Sequence, residues 1–226
     1  MTAKADSLRD HCIRCGECCL NSSPTLHMQD LPLLDGKSIR KREIYTIRKG
    51  ELVRDPIEDK LIITPNELIK IKERNKGKNA CIFYDDSGKA CTIYENRPSQ
   101  CVTLKCWDTT AFMRVYEAPR PERKDIIQDM LLLGIIEEHE KRCNYSILEN
   151  KVSRIETEGE KAVNEILEIL RFDYQLRPFV SEKLDLDPEE LNLFFGRPLT
   201  ETIVMYGMQV VREPDGSFLL TKSPVK

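Results

Sequence analysis

Nowhere in the 226 residues is there a run approaching the roughly 18 to 20 consecutive apolar residues of a membrane-spanning helix, so no helical membrane anchor is expected. The opening MTAKADSLRDHC lacks the apolar central run of a secretory signal, and the expected location is the cytoplasm. Aromatic residues make up only 7% of the chain, and the basic runs KREIYTIRK and KIKERNKGK lack the interleaved stacking residues of a nucleic-acid surface. A net charge of −3 calls for no polyanionic partner, so those runs are expected to be solvated surface. A glycine-rich phosphate loop, a nucleophile elbow, a paired-carboxylate acid–base motif and internal repeats are also missing, which leaves no familiar route to catalysis.

Cysteine, by contrast, is plentiful and unevenly placed. Eight of the nine cysteines fall into two groups of four, Cys12, Cys15, Cys18 and Cys19 in CIRCGECC, then Cys81, Cys91, Cys101 and Cys106. In a reducing compartment such grouping points to metal or redox chemistry rather than a disulfide frame. These eight are the candidate metal ligands. A Cys-x-x-Cys step lets a tight turn aim two sulfurs at one ion, and Gly16 supplies the backbone freedom such a turn needs. Cys12, Cys15 and Cys18 form Cys-x-x-Cys-x-x-Cys, the step with which bacterial-type ferredoxins hold three corners of a cubane, and this favours an iron–sulfur cluster, such as 4Fe–4S, over zinc. Neighbouring residues point in different directions in most backbone conformations. Cys18 and Cys19 are therefore expected to face different metal centres, or different atoms of one.

The second group reads as a hairpin followed by a helix. DDSG places a turn between Cys81 and Cys91, and Pro98 begins a helix carrying Cys101, with Arg97 held extended before it. Clustered thiolates accumulate negative charge, and Arg97, Lys105 and Arg14 are the candidate cations to offset it.

CIRCGECC followed by CTIYENRPSQC resembles the YkgJ family of cysteine-cluster proteins, whose domain is described as zinc- or iron-chelating. Cys12, Cys15, Cys18 and Cys19 match its first motif, Cys81 its middle cysteine, and Cys91, Tyr94, Arg97, Pro98 and Cys101 its last; Cys106 matches a further cysteine of many members. The resemblance covers roughly residues 10 to 107. It implies a metal-binding, mostly bacterial protein without an established reaction. Flagellin lysine methylases carry a related cysteine arrangement, but nothing after Pro119 matches a methyl-transfer motif, so no enzymatic activity is assigned.

Composition changes near EAPRPERKD, which divides the chain into a cysteine-cluster domain, residues 1–118, and a helical region, residues 119–226. Ile126, Ile127, Met130, Leu133 and Ile136 recur at helical spacing and predict one amphipathic helix. Leu148, Val152, Ile155, Ala162, Ile166 and Ile169 predict a long second helix through about Arg171, packed on the first. Asp187, Pro188 and Gly196 cap and close a short helix, RPLTETIVMYG reads as another, and MQVVREPDGSFLLTK reads as a terminal hairpin. In the first domain DLPLL predicts a short helix, IYTIRKGELV and DKLIIT predict strands, and PNELIKIKER begins a helical pattern. His139 and Cys143 lie one turn apart at an expected partly exposed helix end rather than in a zinc site. His27 and His11 are weaker candidate ligands, and Trp107 is expected to pack in the core. The expected fold class is α+β, predominantly helical, with a small loop-rich cysteine domain followed by helices and a C-terminal β-hairpin. The expected function is an iron–sulfur protein for electron transfer or redox sensing, whose partner is another protein; the alternative is a zinc module without catalysis.

Overall fold

A computed structural model describes residues 15–34, 38–74 and 79–224. Helix accounts for about half of these, and the strands form small antiparallel pairs, so the fold is a helix-rich α+β arrangement. No helix among the described residues is long and apolar enough to cross a membrane. The chain folds as two compact units. One comprises Met1–Ile44 with Leu68–Glu122; the other comprises Tyr45–Glu67 with Arg123–Lys226. Residues 45–67 thus cluster with the C-terminal helices although they lie between the two cysteine groups.

The cysteine-bearing unit contains little regular structure. Its apolar centre includes Leu26, Ile39, Ile69, Ile71, Ala80 and Phe83, all buried. The segment PNELIKIKER, read from its sequence as the start of a helix, instead contains the strand Leu68–Ile71. Ile69 and Ile71 alternate inward and are completely buried, the period of two that β-branched residues favour. Neighbouring backbone completes the pairing: Leu26 N donates to the Ile69 carbonyl at 2.8 Å and Ile71 N to the Pro24 carbonyl at 3.0 Å. The short helix expected at DLPLL is present as the 3-10 helix Met28–Leu34.

In the second unit the predicted strands of residues 52–63 form a hairpin, Leu52 opposite Ile63 through Asp55 opposite Lys60. The single amphipathic helix expected after Pro121 is two helices, Arg123–Ile126 and Met130–Cys143. Asp129 causes the restart, its carboxylate accepting the N–H groups of Leu131 at 2.8 Å and Leu132 at 3.1 Å. The buried stripe then runs Leu132, Ile136, His139, Cys143, whereas Met130 stands 78% exposed. The second predicted helix is likewise divided, into Tyr145–Ser153, Ile155–Glu158 and Glu160–Leu184, with Gly159 at φ 56° between the last two. The 25-residue helix Glu160–Leu184 is the spine of this unit. Ile166, Leu167 and Leu170 pack in one cluster with Tyr145, Leu148, Leu199, Ile203, Phe218 and Leu220. The terminal hairpin pairs Met208 with Lys222 through Arg212 with Phe218, as expected from Pro-Asp-Gly.

A lattice of buried charges completes the unit. His139 and Cys143, expected at a partly exposed helix end, are both fully buried. His139 Nε2 donates to Asp173 Oδ1 at 2.8 Å, and Arg48 Nη1 donates to His139 Nδ1 at 3.4 Å. Asp173 also accepts from Arg177 Nε at 3.1 Å and Nη2 at 3.0 Å, and its second oxygen accepts the Leu199 N–H at 2.8 Å. Arg177 donates onward to the Phe195 and Gly196 carbonyls, which ties the helix Leu191–Phe195 to the spine. Burial alone would raise the Asp173 carboxyl, but the His139 hydrogen bond and the Arg177 charge prevail and hold it at about 2, below its ordinary 3.8. Burial pushes the His139 imidazole below its ordinary value against the pull of Asp173, so the ring is neutral and carries its proton on Nε2.

Both shifts have the same sign for stability. The unfolded chain binds protons at Asp173 and His139 before the folded chain does, so the contribution is complete above pH 6.5 and is lost as pH falls, for Asp173 between 3.8 and about 2. Asp173→Asn is expected to lower the unfolding free energy at pH 7 by roughly 3 kcal/mol, because it leaves Arg177 buried without its counter-charge. Denaturant titrations at pH 7 and pH 3 check this, with the variant losing part of the acid sensitivity of the parent.

Candidate metal centre

The site is built from three pieces of the cysteine-bearing unit. First comes the one-turn helix Glu17–Asn21, which carries Cys18 and Cys19 and starts after Gly16. Gly16 sits at φ 79°, the left-handed region, and a Cβ there would lie 2.4 Å from the Tyr84 hydroxyl oxygen. The residue is therefore glycine for two independent reasons, backbone conformation and close approach. The second piece is the ribbon of Tyr84–Asp85 and Ala90–Cys91, in which Tyr84 faces Cys91 directly. Asp85 closes the DDSG turn by accepting the Gly88 N–H at 2.6 Å. One tyrosine thus meets the turn between Cys15 and Cys18 and pairs with the strand residue Cys91. Backbone ties the two cysteine groups as well, since Cys81 N donates to the Cys19 carbonyl at 2.7 Å.

The third piece is the helix Ser99–Thr103, which carries Cys101. Arg97 is extended before Pro98, with φ −69° and ψ 146°, as the proline requires. Asp30 seats this helix: its carboxylate accepts the Ser99 N–H at 2.8 Å, the Ser99 hydroxyl at 2.9 Å and the His27 N–H at 2.9 Å. Gln100 is held in a directed chain. Thr25 N donates to Gln100 Oε1 at 3.0 Å, Gln100 Nε2 donates to His27 Nε2 at 3.0 Å, and His27 Nδ1 donates to the Ala118 carbonyl at 3.1 Å. Both ring nitrogens of His27 are thereby engaged, so this buried histidine is a brace for the Cys101 helix rather than a free ligand. Burial, the largest influence, keeps its ring below the ordinary histidine value.

Thiols of the two groups influence one another: Cys19 feels the charges of Cys18, Cys91 and Cys101, and Cys101 those of Cys81, Cys18 and Cys91. Cys18 and Cys19 do not diverge as adjacent residues were expected to. Their sulfurs are 3.9 Å apart, because two short side chains on the same helical turn can lean together. A tetrahedral ion with metal–sulfur bonds of about 2.3 Å has ligand sulfurs about 3.8 Å apart, so this pair fits one edge of such a site. Cys15 is exposed just before the Gly16 turn, and Cys106 is exposed beside the turn in which Lys105 and Asp108 bridge. Trp107 is half-buried. Cys12, His11 and Arg14 lie outside the described residues. Among the described residues, no group of three or more His, Cys, Asp or Glu side chains stands at metal-holding geometry.

The thiols differ in how readily they ionise. A hydrogen bond from Cys19 brings the Cys18 thiol down to about 6, with the Arg97 charge assisting, and the same bond drives the Cys19 thiol far up. Burial pushes Cys81 up to about 11 and raises Cys91; it raises Cys101 further, and the charges of Cys81, Cys18 and Cys91 add to that. Without a cation the group therefore stays largely protonated, whereas an ion that binds sulfur would displace those protons. The donors are soft, clustered and partly open to solvent, a set suited to zinc or to iron.

Residues 11–119 match the family model CxxCxxCC, described as "Putative zinc- or iron-chelating domain". The cysteine half of the chain belongs to this family. No curated protein and no solved structure matches the chain. The match brackets all eight grouped cysteines of this CxxCxxCC domain, and it supports metal binding by zinc or iron as the domain's role. His139 and Cys143 lie beyond it; the Cys143 thiol is buried and raised to about 12, chiefly by that burial.

What the sequence reading missed is the scaffold behind the sulfurs, namely Tyr84 against Gly16 and the Asp30–His27–Gln100 brace. Gly16→Ala is expected to cost roughly 1 to 3 kcal/mol through the left-handed backbone alone, and to displace Tyr84 and with it the Cys91 strand. Thermal unfolding and metal content of the purified variant check this, both falling relative to the parent.

Proposed function

We propose that the CxxCxxCC domain holds an iron–sulfur cluster of the 4Fe–4S class and uses it for electron transfer or redox sensing with another protein. The observation that carries this reading is the number of sulfurs. Eight cysteines in two groups exceed the four that one tetrahedral ion takes, and thiols of the first group, Cys18 and Cys19, influence the ionisation of Cys91 and Cys101 in the second or are influenced by it. The Cys-x-x-Cys-x-x-Cys step from Cys12 to Cys18 suits a cluster in the same way. Cys12, Cys15, Cys18, Cys19, Cys81, Cys91, Cys101 and Cys106 are the residues that would hold it. When bound, such a cluster supplies one-electron exchange at a potential tuned by charge, hydrogen bonds and solvent exposure. The chain's own contribution is to gather the sulfurs: the Gly16 turn aims Cys18, the Tyr84 ribbon places Cys91, and the Asp30 brace seats the helix of Cys101. Cys15, Cys18 and Cys106 are each exposed to solvent, and electron exchange with a docked protein would need such access.

One observation favours a second reading. The 3.9 Å separation of the Cys18 and Cys19 sulfurs suits two ligands of a single ion, since corner thiolates of a cubane bind separate irons and point away from one another. In that case the domain is a zinc module whose metal is structural and whose surface meets a protein partner.

Anaerobic purification distinguishes the two. The cluster reading expects a brown protein with absorption at about 400 nm and iron matched by acid-labile sulfide. Stoichiometric zinc without sulfide, and unfolding on chelation, selects the module instead. Cys18→Ser and Cys101→Ser are each expected to cut the metal content severalfold in either case. Parent protein that carries no metal, and takes up none on reconstitution, overturns both readings.

A further inference from the structure

Arg97 lies between two candidate ligands in the chain, Cys91 and Cys101, and has a buried Nε without a hydrogen-bond partner. Three described arginines have a buried Nε without a hydrogen-bond partner, Arg48, Arg97 and Arg120. For two of them the rest of the guanidinium accounts for the position: Arg48 Nη2 donates to the Cys143 carbonyl at 3.0 Å, and Arg120 Nη2 donates to the Tyr116 carbonyl. Arg97 instead lies flat over the Tyr94 ring, its guanidinium carbon 3.6 Å from the ring centroid. Pro98 fixes its backbone in the extended state, so the side chain leaves the chain in one direction. Its charge reaches Cys18, Cys91 and Cys101, sulfurs from all three pieces of the candidate centre. A buried N–H that lacks an acceptor is unfavourable until one arrives.

We propose that Arg97 is a positioning residue for the metal centre, whose stacked guanidinium offsets the charge of the bound thiolates and whose orphaned Nε–H becomes a donor to a metal-bound sulfur. The inference rests on the metal-binding reading above and holds for either a cluster or a single ion. Each thiol that binds a divalent ion releases its proton to solvent, so a four-thiolate complex leaves the site with a net negative charge. A fixed cation at the edge of the group favours that loaded state over the protonated one, although it repels the bare ion, because the charge of the whole site becomes more negative on loading. Lysine would keep the charge but neither the flat stack on Tyr94 nor a donor at the Nε position.

The test uses the full-length protein with reduced thiols, comparing the parent with Arg97→Lys and Arg97→Gln. Zinc(II) affinity is measured at pH 7 by competition with a chromophoric chelator, and cobalt(II) serves as a spectroscopic probe through its sulfur-to-metal charge-transfer bands. Arg97→Gln is expected to weaken zinc binding by about tenfold or more, with Arg97→Lys between it and the parent. The charge-transfer bands are expected to shift in both variants, since both lose the N–H donated to sulfur, a change that a merely structural arginine would not produce. Thermal unfolding of the metal-free proteins separates a folding defect from a binding one, and Arg97→Lys keeps the test open if Arg97→Gln does not fold. Zinc affinity of Arg97→Gln within about twofold of the parent, or cobalt spectra identical in all three proteins, overturns the role of Arg97 and leaves the metal-binding reading intact. A parent that binds neither ion removes both.

Discussion

Bringing the two cysteine groups together, with the Cys81 amide on the Cys19 carbonyl and the Cys18 and Cys19 sulfurs 3.9 Å apart, is the constraint on which the cysteine-bearing unit depends. Thiolates repel one another, and burial makes each harder to ionise, so the unit keeps most of its thiols protonated. The gathering is done by groups that bind no metal: the Cys81 amide on the Cys19 carbonyl, Tyr84 against Gly16, and Asp30 under the Cys101 helix. This is why so loop-rich a unit can still define a site. Few of its backbone groups belong to extended helices or sheets, yet the Cys81 amide and the Cys19 and Cys81 carbonyls are hydrogen-bonded.

A different economy operates in the second unit. Its helices pack through an apolar cluster, but their relative placement is set by charges taken out of water, with Asp173 meeting His139, Arg177 and the Leu199 amide at once. Arg48 is completely buried and reaches the carbonyl end of the helix Met130–Cys143. Gly196, at φ 70°, leaves room for it, since a Cβ there would lie 2.6 Å from Arg48 Cγ. A misplaced helix would leave one of these buried charges without its partner, which is strongly unfavourable.

Much of the candidate site was legible in the sequence because its chemistry is local. A glycine in the first cysteine motif, an Asp-Asp-Ser-Gly turn and an Arg-Pro pair each have a direct backbone meaning, and these three appear in the structure where they were read. Less was legible where two periodicities compete or where the partner is distant. Leu68–Ile71 sits in a run whose apolar spacing suits helix, and only the neighbouring Pro24–Leu26 backbone makes it a strand. The stripe through Met130 failed because Asp129 restarts the helix and changes its phase. His139 looked like a surface residue since nothing nearby in sequence reveals that Asp173, one helix later, will meet it.

The interrupted course of the chain bears on biosynthesis. During translation Cys18 and Cys19 leave the ribosome well before Cys81, Cys91 and Cys101, and between them comes a segment that clusters with residues not yet made. Glu67, for instance, waits for Arg123, with which it forms an ion pair at 2.7 Å. The candidate ligands Cys18, Cys19, Cys81, Cys91 and Cys101 are thus all present only after the polypeptide has passed residue 101.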